Sequence, residues 1–331
     1  MHVSFVAGRS ALSRWHNASR LQPDDVDRQQ QRFRSGIDVW VVQTYLLLRD
    51  QLAELGHRVT LDARFPAGAL CVAHWDSYNA FFSGAHACRV IGVRADRPPM
   101  YGCARVVVQN NLVDDDPTHR FIPLWPQPGL VPRDRARGAR IENIAYFGRA
   151  TSLEPWIERG DLRQRLAALG VTLRVCERSW NDYSDVDLVL SARAESPTML
   201  AHKPATKLYN AWLAEVPALL SDEPAFRSLR GSTLDYLTVS SVDDIVESVA
   251  RLRKQPETYQ AMIERGRERG RDFAREAIAA RWIALLQETG GLDPARASLY
   301  THLVAILRQK RAAKHFRRLH ARDLRHALAA K

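Results

Sequence analysis

Short, almost continuous apolar runs alternate along the chain with longer stretches in which apolar residues recur at helical spacing. In the first part, HVSFVAG, HRVTL, GALCVAH, RVIGVRAD and ARVVVQN are predicted strands. Between the first two of them, IDVWVVQTYLLLRDQLAELG is a predicted helix that stops at Gly56. Strands that are apolar on both faces are typical of a parallel sheet covered by helices. The pattern therefore predicts an α/β domain.

This alternation breaks at Ile122. The stretch IPLWPQPGLVPRDRARG contains four prolines and two glycines in seventeen residues, a composition that opposes regular structure and marks a linker. A second series of predicted elements follows it: the strands NIAYFG, VTLRVCE, VDLVLSA, PALLS and DYLTV, with the helices DLRQRLAALG, ATKLYNAWLAE and VDDIVESVARLRK between or after them.

We therefore predict four segments. They are an N-terminal Rossmann-like domain over residues 1–125, a Pro-rich linker over 126–140, a second Rossmann-like domain over 141–292 and a basic helical tail over 293–331. The predicted fold class is α/β, with two doubly wound domains that face a cleft. Ligands bind to such sheets at the carboxyl ends of the strands, so we expect the site to lie there.

Charge distinguishes the tail from the rest of the chain. The 331 residues carry a net charge of +11, and Arg296–Lys331 contributes ten basic residues against one acid, a net +9. A basic tail on a nearly neutral body predicts contact with a local anionic surface. After Tyr300 only Phe316 is an aromatic residue among the basic ones, so we expect no nucleic-acid partner.

Two further features bear on location. No apolar run reaches the roughly 18 residues that span a bilayer, and the N-terminus MHVSFVAG lacks the basic region and long apolar core of a signal peptide. The four cysteines show no metal-ligand spacing and are predicted to be reduced thiols. We expect a cytoplasmic protein.

The stretch HKPATKLYNAWLAEVPALLSDEPAF provides the strongest candidate site. Pro204 and Thr206 suit the first turn of a helix, and Lys203 and Lys207 lie at its start, just after the predicted strand VDLVLSA. The unpaired N–H groups of a helix N-terminus attract anions, so the two lysines predict a diphosphate site. The alternative is that both are solvated surface lysines.

The same stretch resembles the donor domain of GT-B glycosyltransferases. NAWLAEVPALLS takes the place of a helix and strand in that family, YFGR at 146–149 is similar to the family's first donor-domain strand and loop, and residues 241–288 resemble its closing helices. The resemblance covers residues 141–290 well, and residues 1–125 only in the general alternation of strands and helices. It implies transfer of a sugar from a nucleotide diphosphate-sugar to an acceptor hydroxyl, with no metal cofactor.

The resemblance also suggests residues for the donor. Arg149 adds positive charge beside the diphosphate, and Asn210 and Glu223 hold the nucleoside. Many retaining members have two glutamates where this sequence has His202 and Asn210, and Glu215 stands where the family usually has glycine. Both retaining and inverting outcomes therefore stay open.

Candidate acceptor-side residues follow two strands of the first domain. An inverting transfer needs a base for the acceptor hydroxyl, and Asp76 with His74, or Asp96, is placed to supply it. The alternative is that each aspartate caps a turn or pairs with Arg94 or Arg97. The acidic runs VDDDP and DVD also invite a metal interpretation, but we predict no metal site.

The tail has an apolar stripe, predicted to pack on the body of the protein and listed as Leu299, Tyr300, Leu303, Val304 and Leu307. The basic residues that follow it predict peripheral attachment to an anionic membrane at its inner face. A lipid-linked or glycan acceptor in cell-envelope or polysaccharide synthesis fits this expectation. Two alternatives stay open: a non-catalytic lipid- or nucleic-acid-binding protein, and a sugar-nucleotide epimerase of the same fold.

Overall fold

The computed structural model describes residues 1–79, 84–113, 116–292 and 299–329, without the side chains of 79, 159, 299–302 and 324–329. The chain divides into two compact units. Unit 1 comprises Met1–Leu124, Pro197–Pro204 and Glu276–Lys331, and unit 2 comprises Trp125–Ser196 and Ala205–Arg275. The boundaries predicted for the domains and the linker stay predictions.

Strands and helices follow the predicted alternation. The strands are β1 His2–Val6, β2 Arg58–Asp62, β3 Leu70–His74, β4 Arg89–Val93, β5 Arg105–Val108, β6 His119–Phe121, β7 Asn143–Phe147, β8 Thr172–Cys176, β9 Leu188–Ser191, β10 Ala218–Leu220 and β11 Leu237–Thr238. The α-helices are α1 Arg9–Arg14, α2 Asp25–Arg28, α3 Gln43–Glu54, α4 Trp75–Asn79, α5 Pro155–Arg159, α6 Leu162–Ala168, α7 Pro197–Leu200, α8 Thr206–Leu213, α9 Pro224–Leu229, α10 Val242–Lys254, α11 Pro256–Gly270, α12 Arg275–Gly290 and α13 Leu299–Ala329. A π-helical turn, Asp38–Val42, leads into α3, and the 3-10 turns are Ala18–Arg20, Gln30–Arg32, Ala85–Ala87, Asn111–Val113, Arg135–Arg137, Ala150–Ser152 and Arg271–Phe273.

In unit 1 the described residues form a six-stranded parallel sheet. Its order is β2-β1-β3-β4-β5-β6, so the chain reverses direction across the sheet between β1 and β3. Such a reversal leaves a crevice at the carboxyl ends of the two strands. Gly8 follows β1 there with φ +81°, and His74 is the last residue of β3. This edge of the sheet is therefore the expected place for a site in unit 1.

Unit 2 contains a parallel sheet of order β11-β10-β9-β7-β8. Alternate residues of β7 enter opposite core clusters: Ile144 and Tyr146 pack in one, and Ala145 and Phe147 in the other. Both faces of the sheet are thus covered, as the near-continuous apolar strands predict. The reversal of strand order falls between β7 and β9. The α/β class with doubly wound sheets is confirmed.

The end of α8 shows an unusual backbone. Glu215 has φ +60°, the left-handed conformation that glycine adopts without strain. This is the position where the resembled family usually has glycine. The Glu215 carboxylate accepts hydrogen bonds from Arg267 (2.6 Å) and Arg135 (2.7 Å), which lower its pKa to about 2. These ion pairs give the side chain a role that glycine lacks.

The tail forms the long helix α13, and its contacts with α7 belong to unit 1. The Thr198 N–H and hydroxyl donate to Asp323 Oδ2 at 3.1 and 2.5 Å. Leu303 and Leu307 are 41% and 57% exposed, so the prediction that the apolar stripe packs on the body is wrong for these two residues. Among the described side chains of the helix, the buried ones are instead Ala305, Gln309 and Ala313, and Val304 is half-buried. The side chains of Leu299 and Tyr300 lie outside the described residues.

None of the described helices is both long enough and apolar enough to cross a bilayer.

Candidate functional site

In unit 1, the predicted acceptor-side residues lie at the carboxyl edge of the sheet. Helix α4 begins directly after His74, where the sequence predicts a loop. The Asp76 N–H donates to His74 Nδ1 at 3.2 Å, so this ring nitrogen is an acceptor. Burial is the main reason that the pKa of His74 is lowered to about 4, and the ring is therefore neutral at pH 7. His74 accordingly positions the start of α4.

Gly36 explains why His74 holds its place. A Cβ atom built on this glycine would lie 2.6 Å from His74 Nε2, closer than any real contact, so the backbone at residue 36 lies against the ring. His74 is 1% exposed. With one nitrogen bonded and the other covered, His74 is a positioning residue and Asp76 is the more accessible of the pair.

Arg97 brings the two candidate bases together. Its Nε and Nη2 donate to the two Asp76 oxygens at 3.0 and 2.9 Å, and its Nη1 lies 3.9 Å from Asp96 Oδ1. The predicted alternative, an ion pair with Arg97, is therefore correct for Asp76. It does not remove the base hypothesis, because a carboxylate can accept about four hydrogen bonds.

Asp96 has a second cationic partner in Lys203, whose Nζ donates to Oδ2 at 3.2 Å. Burial acts to raise the pKa of Asp96, but Lys203, together with Arg97 and a backbone N–H, outweighs burial and the pKa is lowered. The turn that carries Asp96 includes Ala95 at φ +51°, a left-handed conformation that costs a non-glycine residue about 1 kcal/mol or more. Strain of this kind persists only where the surroundings fix the loop.

Lys203 and Lys207 belong to different units, and their side chains have different surroundings. Lys207, in the first turn of α8, lies with its Nζ 4.0 Å from the centre of the Tyr146 ring. Tyr146 belongs to β7, and burial raises its pKa to about 12. A Cβ on Gly148 would lie 2.9 Å from this ring, so only glycine fits directly after β7. Arg149 follows and is exposed.

The residues predicted for the nucleoside are buried. Asn210 Oδ1 accepts the N–H of Gln127 at 3.2 Å. Glu223, after β10, is enclosed by Arg193, which donates from Nε at 3.0 and 2.9 Å and also from Nη2. Arg193 follows β9 at the strand-order reversal and packs over Phe226. Assignment of Asn210 and Glu223 to the nucleoside stays a prediction.

Arg193 is the residue that sequence reasoning missed in unit 2. The signal was available, because an arginine two residues after an apolar parallel strand lies at the ligand-binding edge of the sheet. In the same unit Arg149 and Lys207 place positive charge at the carboxyl edge, whereas the charge of Arg193 is paired with Glu223. Among the described residues, no three histidine, cysteine, aspartate or glutamate side chains come together to hold a metal ion.

No protein-family model and no curated protein matches this sequence. Solved structures do match. Sucrose-phosphate synthase from Thermosynechococcus elongatus is 13% identical with a TM-score of 0.55, over 87% of this chain and 98% of that one. The pneumococcal O-GlcNAc transferase GtfA, in complex with UDP and GlcNAc, is 14% identical with a TM-score of 0.50, over 75% of this chain and 60% of that one.

TarM is 10% identical with a TM-score of 0.48, and the match covers 74% of this chain. The chain spans 58% of the length of TarM and 60% of that of GtfA. At such identities similarity establishes the fold alone. The first two structures confirm the GT-B fold that the sequence predicts.

Proposed function

We propose that this chain is a glycosyltransferase that moves a sugar from a nucleoside diphosphate-sugar to an acceptor hydroxyl. The observation that carries the proposal is the position of Lys207, in the first turn of helix α8 at the carboxyl edge of the unit 2 sheet, where the strand order reverses. A helix N-terminus and a lysine together favour a diphosphate. Support comes from the GT-B fold, and from GtfA, a transferase whose structure contains UDP and GlcNAc.

Donor binding is assigned to unit 2. Lys207 and Arg149 contact the diphosphate and stabilise the negative charge that builds on the leaving group. Asn210 and Glu223 contact the nucleoside, and Arg193 orients Glu223 through their ion pair. Lys203, which the sequence predicts at the diphosphate, lies in unit 1 and donates to Asp96, so its donor role stays a prediction. Leaving-group stabilisation is assigned to Lys207 and Arg149, without a metal.

Acceptor activation is assigned to unit 1. Asp76 removes the proton of the acceptor hydroxyl as that oxygen attacks the sugar, with Asp96 as the other candidate. His74 fixes the backbone of Asp76. A carboxylate base implies inversion at the sugar carbon, because the attack is then a single displacement.

Replacing Lys207 with alanine should weaken binding of the nucleoside diphosphate by about 1.5–3 kcal/mol, the range for hydrogen bonds to charged groups. The measurement is calorimetry with whichever of UDP, GDP, ADP and dTDP raises the melting temperature of the wild type. Lys254→Ala is the matched control, because this exposed lysine ends α10. That helix runs back from the carboxyl edge of the sheet, so the control should bind normally.

Equal affinity in Lys207→Ala and wild type would remove Lys207 from the diphosphate site. If no nucleoside diphosphate stabilises the protein at 100 times a micromolar dissociation constant, where about 2.7 kcal/mol is expected, the donor assignment fails as a whole.

The acceptor is proposed to be a glycan or lipid-linked molecule of cell-envelope or polysaccharide synthesis. The proposed location is cytoplasmic, at the inner face of the membrane. Support comes from α13, on which exposed basic residues stand beside the exposed Leu303 and Leu307. Apolar side chains next to cations suit an anionic lipid surface, where each basic residue contributes about 1 kcal/mol.

Replacing Lys310, Lys314, Arg317 and Arg318 with glutamine should abolish co-sedimentation with anionic vesicles. All four are exposed, so the fold should survive. Wild-type binding should weaken as salt rises, because the Debye length falls from about 10 Å at 0.1 M to about 3 Å at 1 M. Neutral vesicles are the control, and equal binding to both vesicle types would refute attachment by charge.

A further inference from the structure

A cavity of about 900 Å³ lies within unit 1, and none of its described lining residues is one of those assigned to the donor. Helix α13 contributes Arg308, Arg311 and Phe316 to its lining. Arg94, after β4, and His202, after α7, also line the cavity. The hydrogen bonds from Thr198 to Asp323 connect α7 to α13 and so fix the two helices that line the cavity.

The cavity is cationic. Three arginines line it, and none of its described lining residues is acidic. Arg308 and Arg311 are exposed, and among the described residues neither forms an ion pair, so both guanidinium groups can bind a ligand. A planar guanidinium group can donate two parallel hydrogen bonds to two oxygens of one phosphate. A phosphate ester is therefore an anion that suits these arginines.

His202 adds shape and not charge. Arg94 can only donate, so His202 Nε2, 2.9 Å from Arg94 Nη2, is the acceptor and the ring is neutral. The ring stacks on Phe316 with centroids 5.3 Å apart and an interplanar angle of 14°. Pro99, Tyr101 and Leu319 extend this apolar lining. The cavity thus has a cationic wall, with Arg94, Arg308 and Arg311, and an apolar wall around His202 and Phe316.

The cavity adjoins the predicted acceptor base. Arg94 Nε donates to the carbonyl of Arg97 at 2.9 Å, and Arg97 in turn holds Asp76. The same turn carries Asp96. A ligand bound to Arg94 and α13 is therefore one short loop from the carboxylates assigned to acceptor activation.

We infer that this cavity binds the phosphate or diphosphate ester of the acceptor, with the apolar wall contacting an attached hydrocarbon chain. The inference rests on the proposed function and identifies the acceptor class. The volume far exceeds that of phosphate and lies within the range of organic-ligand pockets, about 300–1,000 Å³. A lipid phosphate uses both walls, whereas a soluble sugar phosphate uses only the cationic one.

The test is calorimetry on the full chain with farnesyl diphosphate, farnesol, glucose 1-phosphate and inorganic diphosphate. The variant Arg308→Gln/Arg311→Gln removes two charges that line the cavity. Its matched control, Arg251→Gln/Lys254→Gln, removes two exposed charges from helix α10, outside the lining. UDP binding is measured in parallel for each protein.

Farnesyl diphosphate should bind the wild type below the critical micelle concentration. The lining variant should weaken it about tenfold or more, as expected from the loss of charged hydrogen bonds, and the control should change it less than about twofold. Glucose 1-phosphate binding as tightly, with the same dependence on Arg308 and Arg311, would keep the phosphate site and identify a soluble acceptor.

Equal weakening in both double variants would overturn the inference, because binding would then follow net charge. Farnesol binding as tightly as farnesyl diphosphate, or no binding of either phosphate ester, would overturn it too. If UDP binds normally in these cases, the cavity assignment fails while the proposed function stands. If only the phosphate esters bind, the donor assignment fails instead.

Discussion

Asp76→Asn should lower sugar transfer by about 100-fold or more, while affinity for the donor nucleotide stays unchanged. General bases contribute about 10² to 10⁴-fold, and asparagine keeps the shape of aspartate but cannot take a proton at neutral pH. Binding should survive because Asp76 is not among the residues assigned to the donor, which include Lys207 and Arg149. Release of nucleoside diphosphate under saturating donor measures the effect.

Asp50→Asn is the control for this experiment. Asp50 also accepts two hydrogen bonds from one arginine, Arg49, at 2.8 and 3.1 Å, but it lies near the end of α3, at the amino edge of the sheet. It should keep wild-type turnover. If Asp96→Asn shows the large loss instead, the base is Asp96. Near wild-type turnover in both Asp76→Asn and Asp96→Asn would exclude a carboxylate base at this edge and favour a retaining mechanism.

Asp187→Ala should destabilise the protein by about 3–5 kcal/mol, because it leaves buried arginine charge without its partner. Asp187 is fully buried and Arg133 is 5% exposed. Arg133 Nη2 and Arg137 Nε donate to Asp187 Oδ1 at 2.7 and 2.8 Å, and the N–H groups of Glu142 and Asn143 donate to Oδ2. Urea unfolding followed by tryptophan fluorescence measures the loss.

Asp185→Ala is the matched control, only two residues away. Asp185 pairs with Arg174 at 2.6 Å, but its side chain is 48% exposed, and exposed pairs contribute about 1 kcal/mol or less. A loss in Asp187→Ala no greater than that in Asp185→Ala would show that Arg133 finds water or another partner on mutation.

Acid should destabilise the folded protein through the same Asp187 carboxylate. Burial raises the pKa of Asp187, but the two arginines and the two backbone N–H groups outweigh burial, and the pKa is lowered. Since the folded-state pKa is below the unfolded one, about 3.9, this stability is complete above that value and is lost as pH falls through the folded pKa. The difference between wild type and Asp187→Ala should therefore shrink in acid.

The sequence predicts the elements of this fold better than the contacts between them. Strands such as β1, β3, β7 and β9 are short apolar runs, and the hydrophobic effect buries such runs almost regardless of context. Strand β6 escaped prediction because HRF is short, polar and set between prolines. On α13, Leu303 is exposed because the helix buries Ala305, Gln309 and Ala313 instead, a choice of face that depends on the segment it packs against.

The candidate site was only partly predictable for a related reason. His74, Asp76 and Asp96 follow strands and are expected at one edge by periodicity alone. Their partners depend on distant chain segments. Gly36 and His74, or Arg193 and Glu223, come together only once the sheet has formed. No local pattern encodes such pairings.

The division of the chain between the units has a consequence for synthesis on the ribosome. Unit 2 has all its residues once position 275 has been made, whereas unit 1 needs segments from the start, the middle and the last third of the chain. Arg89 Nη1 bonds to the carbonyls of Gly290 and Leu292, and Trp40 packs against Trp282. During translation the β1–β6 region therefore keeps apolar residues such as Trp40 uncovered until α12 leaves the exit tunnel. Unit 2, the later of the two to begin, is the first that can finish, and the nascent β1–β6 region is the part most in need of chaperone protection.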